Sequence, residues 1–271
     1  MFPISRRAFV QAGAAAGAMM TLAEPSRADE QSAPAGKPAF VLVHGGWHGG
    51  WCWKRVAPKL RAAGHEVFTP TLTGLGERSH LGGAPVNLDM HISDIVHVLE
   101  AEELSDVILV GHSYAGMVIT GVADRLESRL RALVYLDAFV PEDGRSLMDY
   151  IAPERRAALA RAGEAAGTLD PLPVKLLGVT DPADAAWLAR RLMPQAYATF
   201  IQPLTLAQGG GARLPRSFVY CSSPPSGSFG QFAERLRHDP AWRFYELKTG
   251  HDCMITDPDG AAHVLLEAAS R

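Results

Sequence analysis

Three short stretches of this 271-residue chain carry residue types that together suit acyl transfer through a serine. The sharpest is Gly111-His112-Ser113-Tyr114-Ala115-Gly116, directly after the apolar run DVILV and directly before a helical pattern from Met117. A serine on such a strand-to-helix turn thrusts its hydroxyl out of the sheet, and small residues two positions to either side let the strained turn pack. Gly111 meets that need; Ala115 departs from the usual glycine by one methyl, with Gly116 following at once. The second stretch is His44-Gly45-Gly46-Trp47, which closes the first strong apolar run. Glycines there let backbone N–H groups approach a developing oxyanion, and the amides of Gly46 and Tyr114 are the expected donors. The third is Gly250-His251-Asp252. Ten histidines are present, but His251 follows the last predicted strand, where a base must hang over the serine.

An imidazole base needs a carboxylate to fix its tautomer and stabilise the imidazolium. The usual position, after the next-to-last strand, reads Ser222-Ser223-Pro224-Pro225-Ser226-Gly227-Ser228 and contains no acid. Asp137, ending the run RALVYLD, is the favoured substitute, because catalytic groups gather at the carboxyl ends of parallel strands. Asp252 and Glu234 compete with it, and a strand-end cap is the bland alternative for Asp137. Gly45 and His80, with His44, are candidates for pocket lining. Trp187 and Tyr197, together with Met193, Phe200 and Leu204, are candidates for an apolar slot, although such residues more often pack helices.

The elements that must position these groups are legible as alternation. Ala39 to His44, Glu66 to Pro70, Asp106 to Gly111, Arg131 to Asp137, Ser217 to Cys221 and Arg243 to Leu247 read as strands, several apolar on both faces. That pattern predicts an α/β fold, a mostly parallel sheet with helices on both faces. From about residue 141 to 212 no strand is expected, only Ala/Leu/Arg-rich helical stretches punctuated by prolines, which reads as an inserted helical cap. Gly209-Gly210-Gly211 reads as a hinge where the chain re-enters the core. The domain proper is expected over 38–271.

Residues 1–28 differ. Ser5-Arg6-Arg7-Ala8-Phe9-Val10, a mild apolar stretch to Ala23 and then Ser26-Arg27-Ala28 resemble a twin-arginine export signal, with 29–37 as linker. The stretch is too weak for a stable membrane span, which needs about 20 strongly apolar residues. Export to the periplasm or beyond is the expectation. Without residues 1–28 the chain keeps 23 basic and 28 acidic residues, a net charge of −5, so nucleic acid and anionic lipid are unlikely partners. Cys52, Cys221 and Cys253 lack metal-ligand spacing and allow at most one bridge, with Cys221 to Cys253 weighed against buried free thiols.

The stretch HGGWHGGWCWKRVAPKLRAAGHEVFTPTLTGLGERSHL, the turn GHSYAG, then LVYLDAFVPEDG and TGHDCM together resemble the α/β-hydrolase family of plant methylesterases, hydroxynitrile lyases and bacterial carboxylesterases. The resemblance covers nearly all of the chain after residue 38 and implies ester hydrolysis under a cap, without metal or organic cofactor. The lyase branch carries a threonine where Gly45 stands and a lysine where Asp252 stands, which disfavours cyanohydrin cleavage. The plant members carry the acid that is missing after SFVYC and a small or neutral residue at the place of Asp137, which supports a relocated acid. The expected function is a serine hydrolase of the carboxylesterase type, cleaving small hydrophobic esters. A lyase or C–C hydrolase, and a ligand-binding protein without turnover, stand as alternatives, and a homodimer is left open.

Overall fold

Phe40–Val43 is four apolar residues long and buried at every position, as a strand covered on both faces must be. It is β1 in a computed structural model that describes residues 36–82 and 86–270. The export-signal segment 1–28 and nearly all of the 29–37 linker lie outside the described residues. Five further strands join β1: β2 (Val67–Phe68), β3 (Val107–His112), β4 (Leu130–Leu136), and, after an insertion containing β5 (Thr168–Leu169) and β6 (Gln195–Ala196), β7 (Arg216–Cys221) and β8 (Trp242–Leu247). The sheet runs β2-β1-β3-β4-β7-β8, and every pairing within it is parallel.

Two apolar layers sandwich the sheet. One holds α2 (Leu88–Ala101), α3 (Ala115–Leu126) and α7 (Gly230–Leu236); the other holds α1 (Ala57–Ala62), α8 (Cys253–Thr256) and α9 (Pro258–Ala269). Helix α3 is buried at all positions from Ala115 to Asp124, which its near-continuous apolar sequence allows. Capping sets boundaries locally: Asn87 Oδ1 accepts from Met90 N at the start of α2, and Asp257 with Pro258 starts α9.

Between β4 and β7 the chain leaves the sheet through α4 (Pro153–Ala166), α5 (Pro182–Ala189) and α6 (Ala198–Ile201). The insertion is not wholly helical: β5 and β6 pair antiparallel, Thr168 opposite Ala196 and Leu169 opposite Gln195. Two-residue strands fall below the length at which alternation registers in sequence. The Gly209-Gly210-Gly211 turn is pinned and is no free hinge. All three glycines have positive φ, and the buried Asp124 carboxylate accepts from the amides of Ala207, Gln208 and Gly210 at 2.6 to 3.0 Å. Burial opposes the charge on Asp124, but these amides outweigh it and hold its pKa below the ordinary value.

Candidate active site

All the chemically suggestive stretches emerge at the carboxyl edge of the sheet. Gly111 and His112 pair with Tyr135 and Leu136, so the residues following β3 and β4, Ser113 and Asp137, leave the sheet side by side. Both turn sharply: Ser113 has φ 54° and Asp137 φ 42°, and Trp47 in the neighbouring loop has φ 65°. Left-handed backbone costs an L-residue about 1–2 kcal/mol, so three such residues converging at one edge mark a place where geometry is held against strain. Backbone bonds hold it: Ser113 N donates to Leu136 O, Phe139 N to Ser113 O, and Asp137 N to Val219 O.

The turn around Ser113 explains its own small residues. A β-carbon on Gly111 would sit 2.7 Å from Ala115 O, and one on Gly116 would sit 1.9 Å from Phe139 O. Ala115 is fully buried and fits, so the obligatory second glycine is Gly116. Gly45 lies behind Ser113 rather than in the cavity wall; a β-carbon there would meet the His112 ring at 2.7 Å and the Ser113 β-carbon at 3.0 Å.

His251 and Asp137 come together across 114 residues. His251 Nδ1 donates to Asp137 Oδ2 at 2.6 Å, and the other carboxylate oxygen accepts from Cys221 N at 3.2 Å. Asp137 is completely buried, and burial raises its pKa above the ordinary value despite the pull of His251. The acid-free loop after β7 supplies a different contact: Phe229 stacks on the His251 ring, centroids 4.8 Å apart and planes 10° apart.

Ser113, His251, Gly46 and Tyr114 line one cavity of about 580 Å³, counting its open mouth. Among the described residues neither Gly46 N nor Tyr114 N donates to a protein acceptor. Several neighbouring groups of the loop are engaged. His44 Nδ1 donates to Gly45 O at 2.8 Å while its Nε2 accepts from Leu72 N, and Trp47 N donates to Gln195 Oε1. Burial lowers the His44 pKa to about 3, which keeps that ring neutral. The Tyr114 ring is held by His91, whose Nε2 donates to Thr73 O and whose Nδ1 accepts from the Tyr114 hydroxyl.

The wall of the cavity differs from the expectation. It is built from Trp47, Phe139 and Phe200 with a run of aliphatic residues, among them Ile151, Leu159, Leu169 and Leu172. His80 is exposed and lies outside it. Trp187 is also outside: α5 packs against the turn after β1, where Trp187 meets Trp51 edge-on at 5.2 Å beneath the Arg191 guanidinium. Tyr197 is spent fastening α4, since a β-carbon on Gly163 would lie 2.3 Å from its ring. Met193 and Leu204 are elsewhere, leaving Phe200 alone of the five apolar cap candidates. Leucines at helical spacing look like packing in sequence, and nothing local distinguishes those that face a cavity.

His112 also turns inward. Its Nε2 donates to His251 O at 3.0 Å, and the two rings lie 4.5 Å apart. His112, His251 and Asp252 place ligand-type atoms within 4.8 Å of one another, while His251 Nδ1 bonds Asp137 and His112 Nε2 bonds His251 O. All three cysteines are free and buried.

Comparison with known proteins bears on the family of the chain. The chain matches the alpha/beta hydrolase family over residues 40–264. A carbendazim hydrolyzing esterase from Nocardioides sp. (strain SG-4G) is 48% identical over 237 residues, 83% of this chain and 97% of that protein. Methylesterase 9 of Arabidopsis thaliana is 26% identical over 253 residues, 86% and 98% of the respective chains. Among solved structures, an extracellular alpha/beta-hydrolase from a Paenibacillus species superposes with a TM-score of 0.75 at 29% identity, over 86% of this chain and all of that one; it is described as sharing structural and functional homology with tobacco salicylic acid binding protein 2. The chain belongs to the alpha/beta hydrolase family. Within that family it is a hydrolase of the carboxylesterase type.

Proposed function

We propose that this enzyme cleaves small, largely apolar carboxylic esters through an acyl-enzyme intermediate, with Ser113 as nucleophile, His251 as base and Asp137 as the triad acid. The observation that carries the reading is the buried 2.6 Å bond from His251 to Asp137, beside a strained serine that opens on an apolar cavity. Ser113 Oγ attacks the ester carbonyl as His251 Nε2 takes its proton, and Asp137 holds Nδ1–H so that the imidazolium is stabilised. The free amides of Gly46 and Tyr114 receive the oxyanion, each donor worth about 3 kcal/mol in the transition state. His251 then protonates the departing alkoxide, and water regenerates the serine by the same path. No step asks for a metal or organic cofactor.

The test is hydrolysis of a short and a medium p-nitrophenyl ester by the wild type and by Ser113→Ala. Turnover by the wild type and a loss of roughly 10³-fold or more in the variant are expected. Equal turnover by the two would sink the assignment. Carbendazim, named for the bacterial relative, is the next substrate to try. Export through a twin-arginine signal is part of the proposal, supported by Arg6-Arg7 and by the extracellular relative; replacing both arginines with lysine should hold the precursor inside the cell.

A further inference from the structure

Two residues outside the triad are buried as a bonded pair. His48 and Asp252 lie 204 residues apart, each almost wholly buried, with His48 Nε2 donating to Asp252 Oδ2 at 3.0 Å. The other imidazole nitrogen, Nδ1, donates to Gly46 O at 2.6 Å. A carbonyl oxygen and a carboxylate are both acceptors, so the pair needs two protons between them on the imidazole side. The ionisable groups facing His48 are Asp252 from the loop before α8, His112 from the turn after β3, 6.1 Å away ring to ring, and His44 from the end of β1. His112 and His44 are both held neutral by burial, which leaves Asp252 as the one charge. Burial works against an imidazolium at His48, but Asp252 and the Gly46 carbonyl outweigh it and raise its pKa. Burial likewise works against the Asp252 carboxylate, and His48 outweighs it there, lowering that pKa.

The pair has the right neighbours to matter for chemistry. Asp252 follows His251 directly, and its own N–H donates to Leu177 O. Gly46 supplies one of the two free amides in the cavity. A Gly-Gly loop is cheap to rotate about its peptides, so an oxyanion donor placed on one needs outside restraint. His44 restrains the peptide before Gly46 and His48 the peptide after it.

We infer that His48 is a positioning residue, an imidazolium that ties Gly46 O in the oxyanion loop to the histidine loop at Asp252 and so, by fixing the peptide after Gly46 while His44 fixes the peptide that carries the Gly46 N–H, keeps that amide aimed at the reacting carbonyl. The inference rests on the serine-hydrolase reading above. It predicts a loss confined to turnover, because neither side chain lines the cavity.

The experiment has two readouts. ¹⁵N NMR of the wild type should find both His48 nitrogens protonated at neutral pH, and Asp252→Asn should release one of them. Kinetics on a p-nitrophenyl ester should give His48→Gln and Asp252→Asn a kcat lowered about tenfold to hundredfold with KM within about threefold, and the double variant no worse than the poorer single. A His48 with one bare nitrogen at neutral pH overturns the inference, as does wild-type kcat in folded variants. Should the variants not fold, the wild-type spectrum decides. Ser113→Ala run alongside separates the two ideas: if it keeps turnover the hydrolase reading falls, whereas its loss with intact His48→Gln kcat removes only the positioning role.

Discussion

The sheet edge and the insertion above it are built by opposite means. At the edge, position is fixed by polar bonds in dry surroundings: Asp137, His251, His112, His48 and Asp252 are all buried, and three non-glycine residues are held at positive φ. The insertion is tied to the floor by a few polar bonds, such as Trp47 N to Gln195 and Trp47 Nε1 to Leu169 O, but its longest helix is held loosely; of the fourteen residues of α4, Gly163 alone is buried. It nevertheless provides Leu159, Leu169, Leu172 and Phe200 to the cavity. On the proposed mechanism the contrast divides chemistry in the floor from substrate choice in the roof, since preorganised dipoles act on the transition state while an apolar wall binds ground and transition states alike.

The largest effect that would break this division comes from the floor. Asp137→Asn should lower kcat by roughly 10³- to 10⁴-fold by favouring the wrong imidazole tautomer, while thermal unfolding shows a Tm unchanged or raised. The sign follows from burial: a carboxyl whose folded pKa lies above its unfolded value is costly to keep ionised at neutral pH, and the amide removes that cost. Retained kcat would make Asp137 a strand-end support instead. Next in size is Gly116→Ala, whose β-carbon would overlap Phe139 O; denaturant unfolding should register a loss of about 3 kcal/mol or more. A variant as stable as the wild type would mean that the turn relaxes easily.

A smaller effect is expected from the roof. Leu159→Ala with Leu172→Ala should raise KM for a medium-chain ester about tenfold and leave kcat within about twofold. A fall in kcat instead would dissolve the division between floor and roof. Smallest is the pH dependence of the buried pair. His48 has a raised folded pKa, so its stabilisation is complete below the ordinary 6.5 and fades as pH rises through the raised value. Asp252 is depressed, so its stabilisation is complete above the ordinary 3.8 and fades as pH falls through the lower value. The Tm gap between wild type and His48→Gln should therefore be widest between those two pH values and narrow on either side. A gap constant with pH would count against a charged pair.

What the sequence discloses depends on how locally each feature is encoded. The strands and the turn at Ser113 are written within ten residues: VILV is apolar on both faces, and Gly111 and Gly116 bracket a serine where backbone must approach backbone. The pairing of His251 with Asp137 was open to reasoning because the order of elements puts the ends of β4 and β8 on one edge. The His48 to Asp252 bond had no such cue, since one residue lies in a loop after β1 and the other beyond β8, and each looks ordinary in its own surroundings. The stacking of Phe229 on His251 was hidden for a similar reason, and the cavity wall because the side of α4 and α6 that meets it depends on packing across the insertion.

The loop after β7 bears on how this enzyme diversifies. It holds serines and prolines and no acid from residue 222 to 228, and Ser226 and Ser228 stand at the cavity. On the proposed assignment of the acid to Asp137, at the end of an interior strand, residues 222–228 carry no obligation to the proton relay. Substitution or lengthening there reshapes the entrance while the reacting groups stay in place, so a lineage can explore new substrates through this loop without first losing turnover.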